Sequence, residues 1–178
     1  MQSSLSDIEC EQQRYCVGES YNFDFLKIHR YEIIHCHSML ITVHSALEHA
    51  LNMLCKIVAF TMGSKIKHTD FNDSGVRRAF KFLSNVSGFN LSVIENEKNI
   101  VDDVSQIRNA IVHSGGVIDS SNKKLIGIIN SAEFIKGAVG HNIYVENEFI
   151  NYYIEVIICL FEKLGSEIHI FIVTFPRD

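Results

Sequence analysis

Residues 19–62 contain neither glycine nor proline, and the only proline of the chain is Pro176. Those two residue types break helices most effectively, at about 1 and about 3 kcal/mol relative to alanine in a helix interior. So long a stretch without either admits one long helix or two nearly continuous ones. Within it Leu40, Val43, Leu47, Ala50, Leu54 and Ile57 recur at alternating spacings of 3 and 4, and Leu51 and Val58 widen the stripe. That is the apolar face of a helix in a bundle. The helix is expected to begin between Asp24 and Tyr31 and to stop at Gly63.

Three further helices follow from the same periodicity. One runs from about Ser74, a good N-cap type, to Val86, with Val76, Phe80 and Leu83 inward and Gly88 closing it. The next runs from about Glu97 to His113 and packs Ile100, Val104, Ile107 and Ile111. The last starts after Asn147, ends at Gly165 and turns Ile150, Tyr153, Ile157, Leu160 and Leu164 inward. Four such stripes with polar backs predict a mostly α protein, an up-and-down four-helix bundle. Between the third and fourth core helices the pattern changes. Val117–Asp119 and Leu125–Ile129 around a polar turn, then His141–Val145, read as short strands of a small β insertion. Ile168–Phe175, strongly apolar and β-branched, fits a final strand or the end of a helix.

Composition bounds the function. At 178 residues, 47% hydrophobic and 21% charged, the chain suits one ordinary globular domain. Its five cysteines (10, 16, 36, 55 and 159) form no C-x-x-C pair and read as reduced thiols, several of them buried, of a cytoplasmic protein. Met1–Asp7 lacks a basic segment followed by an apolar one, so no secretory leader is expected. The most apolar stretch, Phe149–Leu164, carries Asn151, Glu155, Glu162 and Lys163 and falls short of the roughly 20 apolar residues that span a bilayer. The net charge of −5 argues against a general nucleic-acid grip, which needs a basic excess. Arg77, Arg78 and Lys81 are candidates for guiding RNA phosphates, although a solvated helix face is the simpler explanation.

The chemistry concentrates in Arg108-Asn109-Ala110-Ile111-Val112-His113-Ser114-Gly115-Gly116. Arginine keeps its charge at any physiological pH and matches phosphate oxygens bidentately. Histidine exchanges its proton near neutrality, and the helix C-terminus favours a positive group there. A phosphate clamp beside a proton shuttle is a minimal set for cutting RNA without a metal. With Ile107 at the centre of the buried face, Asp102, Gln106, Asn109 and His113 form a polar stripe on the far side. Arg108 then lies about 140° from His113 around the axis, so an ideal helix does not aim the two together. The ordinary reading of His113 is a capping residue bonded to the last carbonyls. A second cluster, His35-Cys36-His37 with His44 and Glu48, raises a metal site. It has no C-x-x-C or H-E-x-x-H pairing and reads instead as polar positions of a half-buried helix.

The phrase Ile107-Arg108-Asn109-Ala110-Ile111-Val112-His113 resembles the signature of HEPN domains: arginine, a polar residue, three more positions, then histidine, late in a bundle helix. Upstream, Ser45-Ala46-Leu47-Glu48-His49-Ala50-Leu51-Asn52 resembles the family's earlier core helix, in which an acidic residue faces the same site. The match runs from about Tyr31 to Leu164, which makes residues 1–178 a single HEPN-like domain. The resemblance implies a metal-independent endoribonuclease without a cofactor, acting as a toxin or antiviral-defence effector. It also implies a homodimer whose two motifs meet in one cleft, an RNA substrate, and an antitoxin or regulatory protein as a possible partner. By position, Arg108 would hold the scissile phosphate and His113 would move the proton. Asn109 would orient the phosphate or His113, and Glu48 would position Arg108 or His113. The products would be a 2′,3′-cyclic phosphate and a 5′-hydroxyl. Some family toxins carry a tyrosine two positions after the histidine, which a nucleotidyltransferase antitoxin modifies; Gly115 stands there in this chain. Other HEPN domains have no nuclease activity and serve as protein- or nucleotide-binding or dimerisation modules.

Overall fold

The computed structural model describes residues 11–175. Met1–Asp7, Cys10 and Pro176, on which part of the sequence reading rests, lie outside them, as does the side chain of Cys16. The described chain is mostly helical. Its helices are α1 (Glu11–Thr61), α2 (Gly75–Asn85), α3 (Glu95–Ser114), α4 (Lys123–Ser131) and α5 (Asn147–Thr174). Single 3₁₀ turns precede α2 (His68–Asp70) and α3 (Leu91–Ile94). Two short strands, β1 (Ile135–Lys136) and β2 (Tyr144–Val145), pair antiparallel with Ile135 opposite Val145. Among the described residues no helix is long and apolar enough to cross a membrane.

Helix α1 packs against α2, α3 and α5, and α3 packs against α5, so four helices surround one core. Helix α1 begins at least thirteen residues before the expected start, at Glu11, and carries Gly18 in its interior. One glycine costs a helix only about 1 kcal/mol, too little to end it. The buried residues of α1 are Cys36, His37, Leu40, His44, Leu47, Leu51, Cys55 and Val58. The expected stripe is therefore rotated: Val43, Ala50 and Leu54 are half-buried and Ile57 is 56% exposed. Two small apolar cysteines and a hydrogen-bonded histidine take the inward places that a count of aliphatic residues assigns elsewhere. Burial pushes the Cys55 thiol up to about 12, and its Sγ donates to the Ala79 carbonyl at 3.6 Å.

The other core helices lie close to their expected positions. Helix α2 starts after Ser74, whose side chain makes no capping bond. Helix α3 buries Val104, Ile107 and Ile111 as expected and leaves Ile100 half-buried. Helix α5 does not stop at Gly165 but continues through Ile168 to Thr174, burying Phe171 with its ring 5.7 Å from that of Phe89.

The insertion differs most. Leu125–Ile129, expected as a strand, lies in α4, where the Asn122 side chain caps the first turn by accepting from the Leu125 N–H at 3.1 Å. Leu125 and Ile129, four apart, then share one buried face. Val117 makes a single bridge to Asn142 rather than a strand, and within His141–Val145 only Tyr144 and Val145 pair as a strand.

Candidate active site

Helix α3 ends because two consecutive residues adopt left-handed backbone, Gly115 at φ 61° and Gly116 at φ 78°. Both N–H groups return to the Ala110 carbonyl, satisfying an end that has no further turn above it. Gly116 is required twice over, since a Cβ there would stand 2.8 Å from His37 Cε1. His37, buried on α1, donates from Nε2 to the Ile143 carbonyl at 2.8 Å and so ties the insertion to the bundle. His113 is left exposed in the last turn of α3. Among the described residues its side chain makes neither a hydrogen bond nor an ion pair.

Arg108 points elsewhere. It lines a cleft of about 370 Å³ between α1, the start of α2 and α3. Helix α1 contributes His44, Glu48 and Asn52; α2 contributes Arg77 and Arg78; α3 contributes Ser105, Gln106, Arg108 and Asn109. Arg108 Nη1 donates to Asn109 Oδ1 at 3.1 Å. Its Nε is buried without a partner, as are Arg78 Nε and Asn52 Oδ1. These three are most of the five such side-chain atoms among the described residues, and all belong to residues of this cleft. A buried polar group left unpaired costs about 1–3 kcal/mol, and that cost is concentrated at this cleft. The lining carries three guanidinium groups and the carboxylate of Glu48, and Asp102 pairs with one of the three, Arg77, so the balance of charge in the cleft is positive.

Beneath the cleft lies a buried chain of hydrogen bonds. Ser105 Oγ donates to the Val101 carbonyl at 2.9 Å, so it accepts from His44 Nε2, 3.2 Å away. His44 Nδ1 must then be the acceptor, and the Tyr153 hydroxyl donates to it at 2.7 Å. The imidazole is held as the neutral Nε2–H tautomer, with the Glu48 carboxylate 3.9 Å from that nitrogen. Burial, then the nearby Arg108 charge, lower the His44 pKa to about 4. Burial also raises that of the Tyr153 phenol. One chain of bonds thus joins α1, α3 and α5 under Arg108.

The structure therefore gathers Arg108, Asn109, Glu48, Arg77 and Arg78 around one cleft. Arg77 is held there by Asp102, its Nε 3.0 Å from Oδ1. Lys81 lines a different groove and pairs with Asp73. His113 is not among the residues of the Arg108 cleft. Three of the residues weighed for a metal have other partners: His37 and His44 as above, and Cys36 donates its thiol to Asn147 Oδ1 at 3.4 Å. Among the described residues no three His, Cys, Asp or Glu side chains come together as a ligand set. Sequence reasoning missed Asn52 and Ser105 and gave His44 no role in this cleft. The usable signal was that His44 and Glu48, four apart, share a face of α1 otherwise lined with core residues. Comparison with known proteins adds no assignment: no family model, curated protein or solved structure matches this chain.

Proposed function

We propose that this chain is a metal-independent endoribonuclease of HEPN type, a cytoplasmic toxin or antiviral-defence effector that acts as a homodimer. In this reading α1, α2, α3 and α5 form the family's up-and-down bundle. The observation that carries it is the Arg108 cleft, polar, arginine-rich and holding two buried guanidinium N–H donors without acceptors. A phosphodiester in the cleft supplies acceptors to the guanidinium groups that line it. Arg108 holds the scissile phosphate, Arg77 and Arg78 its neighbours along the strand, and Glu48 and Asn109 orient Arg108. The ribose 2′-hydroxyl attacks phosphorus, its proton leaves to a base, and the P–O5′ bond breaks as the departing oxygen takes up a proton. His113 of a second copy, brought beside the cleft by a two-fold contact, moves one of these protons.

Incubation of the purified protein with RNA in excess EDTA tests the reading. Cleavage to 2′,3′-cyclic phosphate ends is expected, and Arg108→Ala and His113→Ala should each lower it at least about 100-fold. No cleavage, or cleavage unaffected by His113→Ala, ends the idea.

The position of His113 outside the Arg108 cleft favours a second reading, a non-catalytic HEPN module that binds a nucleotide or a partner protein. It predicts saturable binding of a phosphate-bearing ligand that Arg108→Ala abolishes, with intact RNA after prolonged incubation.

A further inference from the structure

The other face of α3 carries a second concavity that shares no lining residue with the Arg108 cleft. It encloses about 350 Å³ between α3, α4, β1 and the start of α5. That volume falls at the small end of the range of natural ligand sites. Its apolar wall is the half-buried Ile100, Ile128, Ala132 and Phe134, backed by the core residues Val104, Ile107, Ile135 and Phe149. The mouth is different. Asp103 on α3 and Glu133 between α4 and β1 stand on its rim, and neither carboxylate has a cationic partner among the described residues. The half-exposed ring of Tyr152, 6.0 Å from that of Phe149, completes the rim.

An apolar cavity beneath two carboxylates and an aromatic face selects one kind of guest. Its body is hydrophobic and covers the half-buried Ile100, Ile128 and Phe134. Its end carries a positive charge, which two carboxylates attract and an aromatic face can also accommodate. An anion is repelled, so the site is not a second phosphate seat. We infer that the insertion between α3 and α5, which supplies α4 and β1, builds a binding site for an apolar group ending in a cation. Such a group is either a small hydrophobic amine or a neighbouring apolar and basic side-chain pair of a peptide. Because Ile107 borders this site and Arg108 the other, a guest here touches the helix that carries the proposed nuclease residues.

Calorimetric titration of the full chain with phenethylamine tests the inference without any measurement of RNA cleavage. The controls are phenethyl alcohol, 3-phenylpropionate and a blocked Phe-Lys dipeptide. Saturable binding of the amine or the dipeptide is expected, with the alcohol weaker and the carboxylate absent. Asp103→Asn and Glu133→Gln should each weaken the cation about two- to fivefold, as for other partly exposed ion pairs, and leave the alcohol unchanged. Tighter binding of the dipeptide points to a partner's side chains, and tighter binding of the amine to a small molecule. No saturable binding of either cation overturns the inference, as does an alcohol that binds as tightly or a cation affinity untouched by both substitutions. None of these results bears on the Arg108 cleft, whose failure would show as intact RNA.

Discussion

His44 makes a quantitative prediction about acid. The folded chain binds a proton at this imidazole with a pKa of about 4, whereas the unfolded chain binds it at the ordinary value near 6.5. Above 6.5 neither state is protonated there and the group contributes no pH dependence. As pH falls below 6.5 the unfolded state takes up a proton that the folded state refuses, so stability is lost. The slope approaches about 1.4 kcal/mol per pH unit and levels off below pH 4, a total near 3 kcal/mol. His37 and His68 are shifted in the same direction by burial, so the wild-type slope in acid is the sum of several groups. A comparison with His44→Leu isolates one of them. Leucine fits the apolar surroundings but leaves the Tyr153 hydroxyl without its acceptor, a loss of about 1–3 kcal/mol at every pH. In urea denaturation at pH 7.5 the variant should therefore be less stable than wild type. By pH 4.5 the wild type has given up about 2.5 kcal/mol that the variant never had to lose, and the gap should close or reverse. A stability difference that stays constant from pH 7.5 to 4.5 would refute the buried neutral imidazole and with it the hydrogen-bond chain under Arg108.

Two further substitutions probe the elements around the site. Gly116→Ala forces a Cβ onto His37 at a backbone angle that L-residues avoid, and should lower stability by at least about 2 kcal/mol in chemical denaturation. Unchanged stability would mean that the helix end or His37 is placed differently. Asn122→Ala removes the cap of α4 and should cost about 1 kcal/mol, with the added protease sensitivity confined to the insertion. An effect near zero would favour the extended conformation that its apolar run also permits.

How far the sequence could be read depended on which physical signal each element carries. The four core helices are long and amphipathic, so periodicity alone placed α2 and α3 within a few residues. Helix ends were less legible, because Gly18 and Gly165 are single glycines whose cost a long helix absorbs. At Gly115-Gly116 two positive φ angles and the His37 contact make the stop obligatory, and there the reading held. The segment Leu125–Ile129 is too short and too β-branched for its pattern to separate strand from helix. Asn122 decided it. At the candidate site, Glu48, Arg108 and Asn109 were legible because they are polar residues in a recognisable phrase. Asn52 and Ser105 were not, since their partnership depends on how α1 and α3 cross, and no local pattern records that.

The relation between Arg108 and His113 is the step on which a nuclease depends. Five residues of α-helix give a net turn of about 140° and climb about 7.5 Å. In the structure Arg108 faces the cleft and bonds Asn109, while His113 is exposed beyond it. Rotating Arg108 toward His113 would abandon that bond and the cleft together, so the proposed nuclease draws the pair from two copies. A two-fold contact is isologous, so one that sets His113 of one copy beside Arg108 of the other creates two equivalent sites. Arg108→Ala and His113→Ala dimers should each be inactive. When the two are mixed and allowed to exchange subunits, half the dimers are mixed, and each of those keeps one site with both groups intact. Activity should return to about a quarter of wild type. If each site used Arg108 and His113 of the same chain, every site in the mixture would lack one group and no activity would return. An inactive mixture, with exchange verified by mass spectrometry, would exclude the shared arrangement while leaving the Arg108 cleft in place.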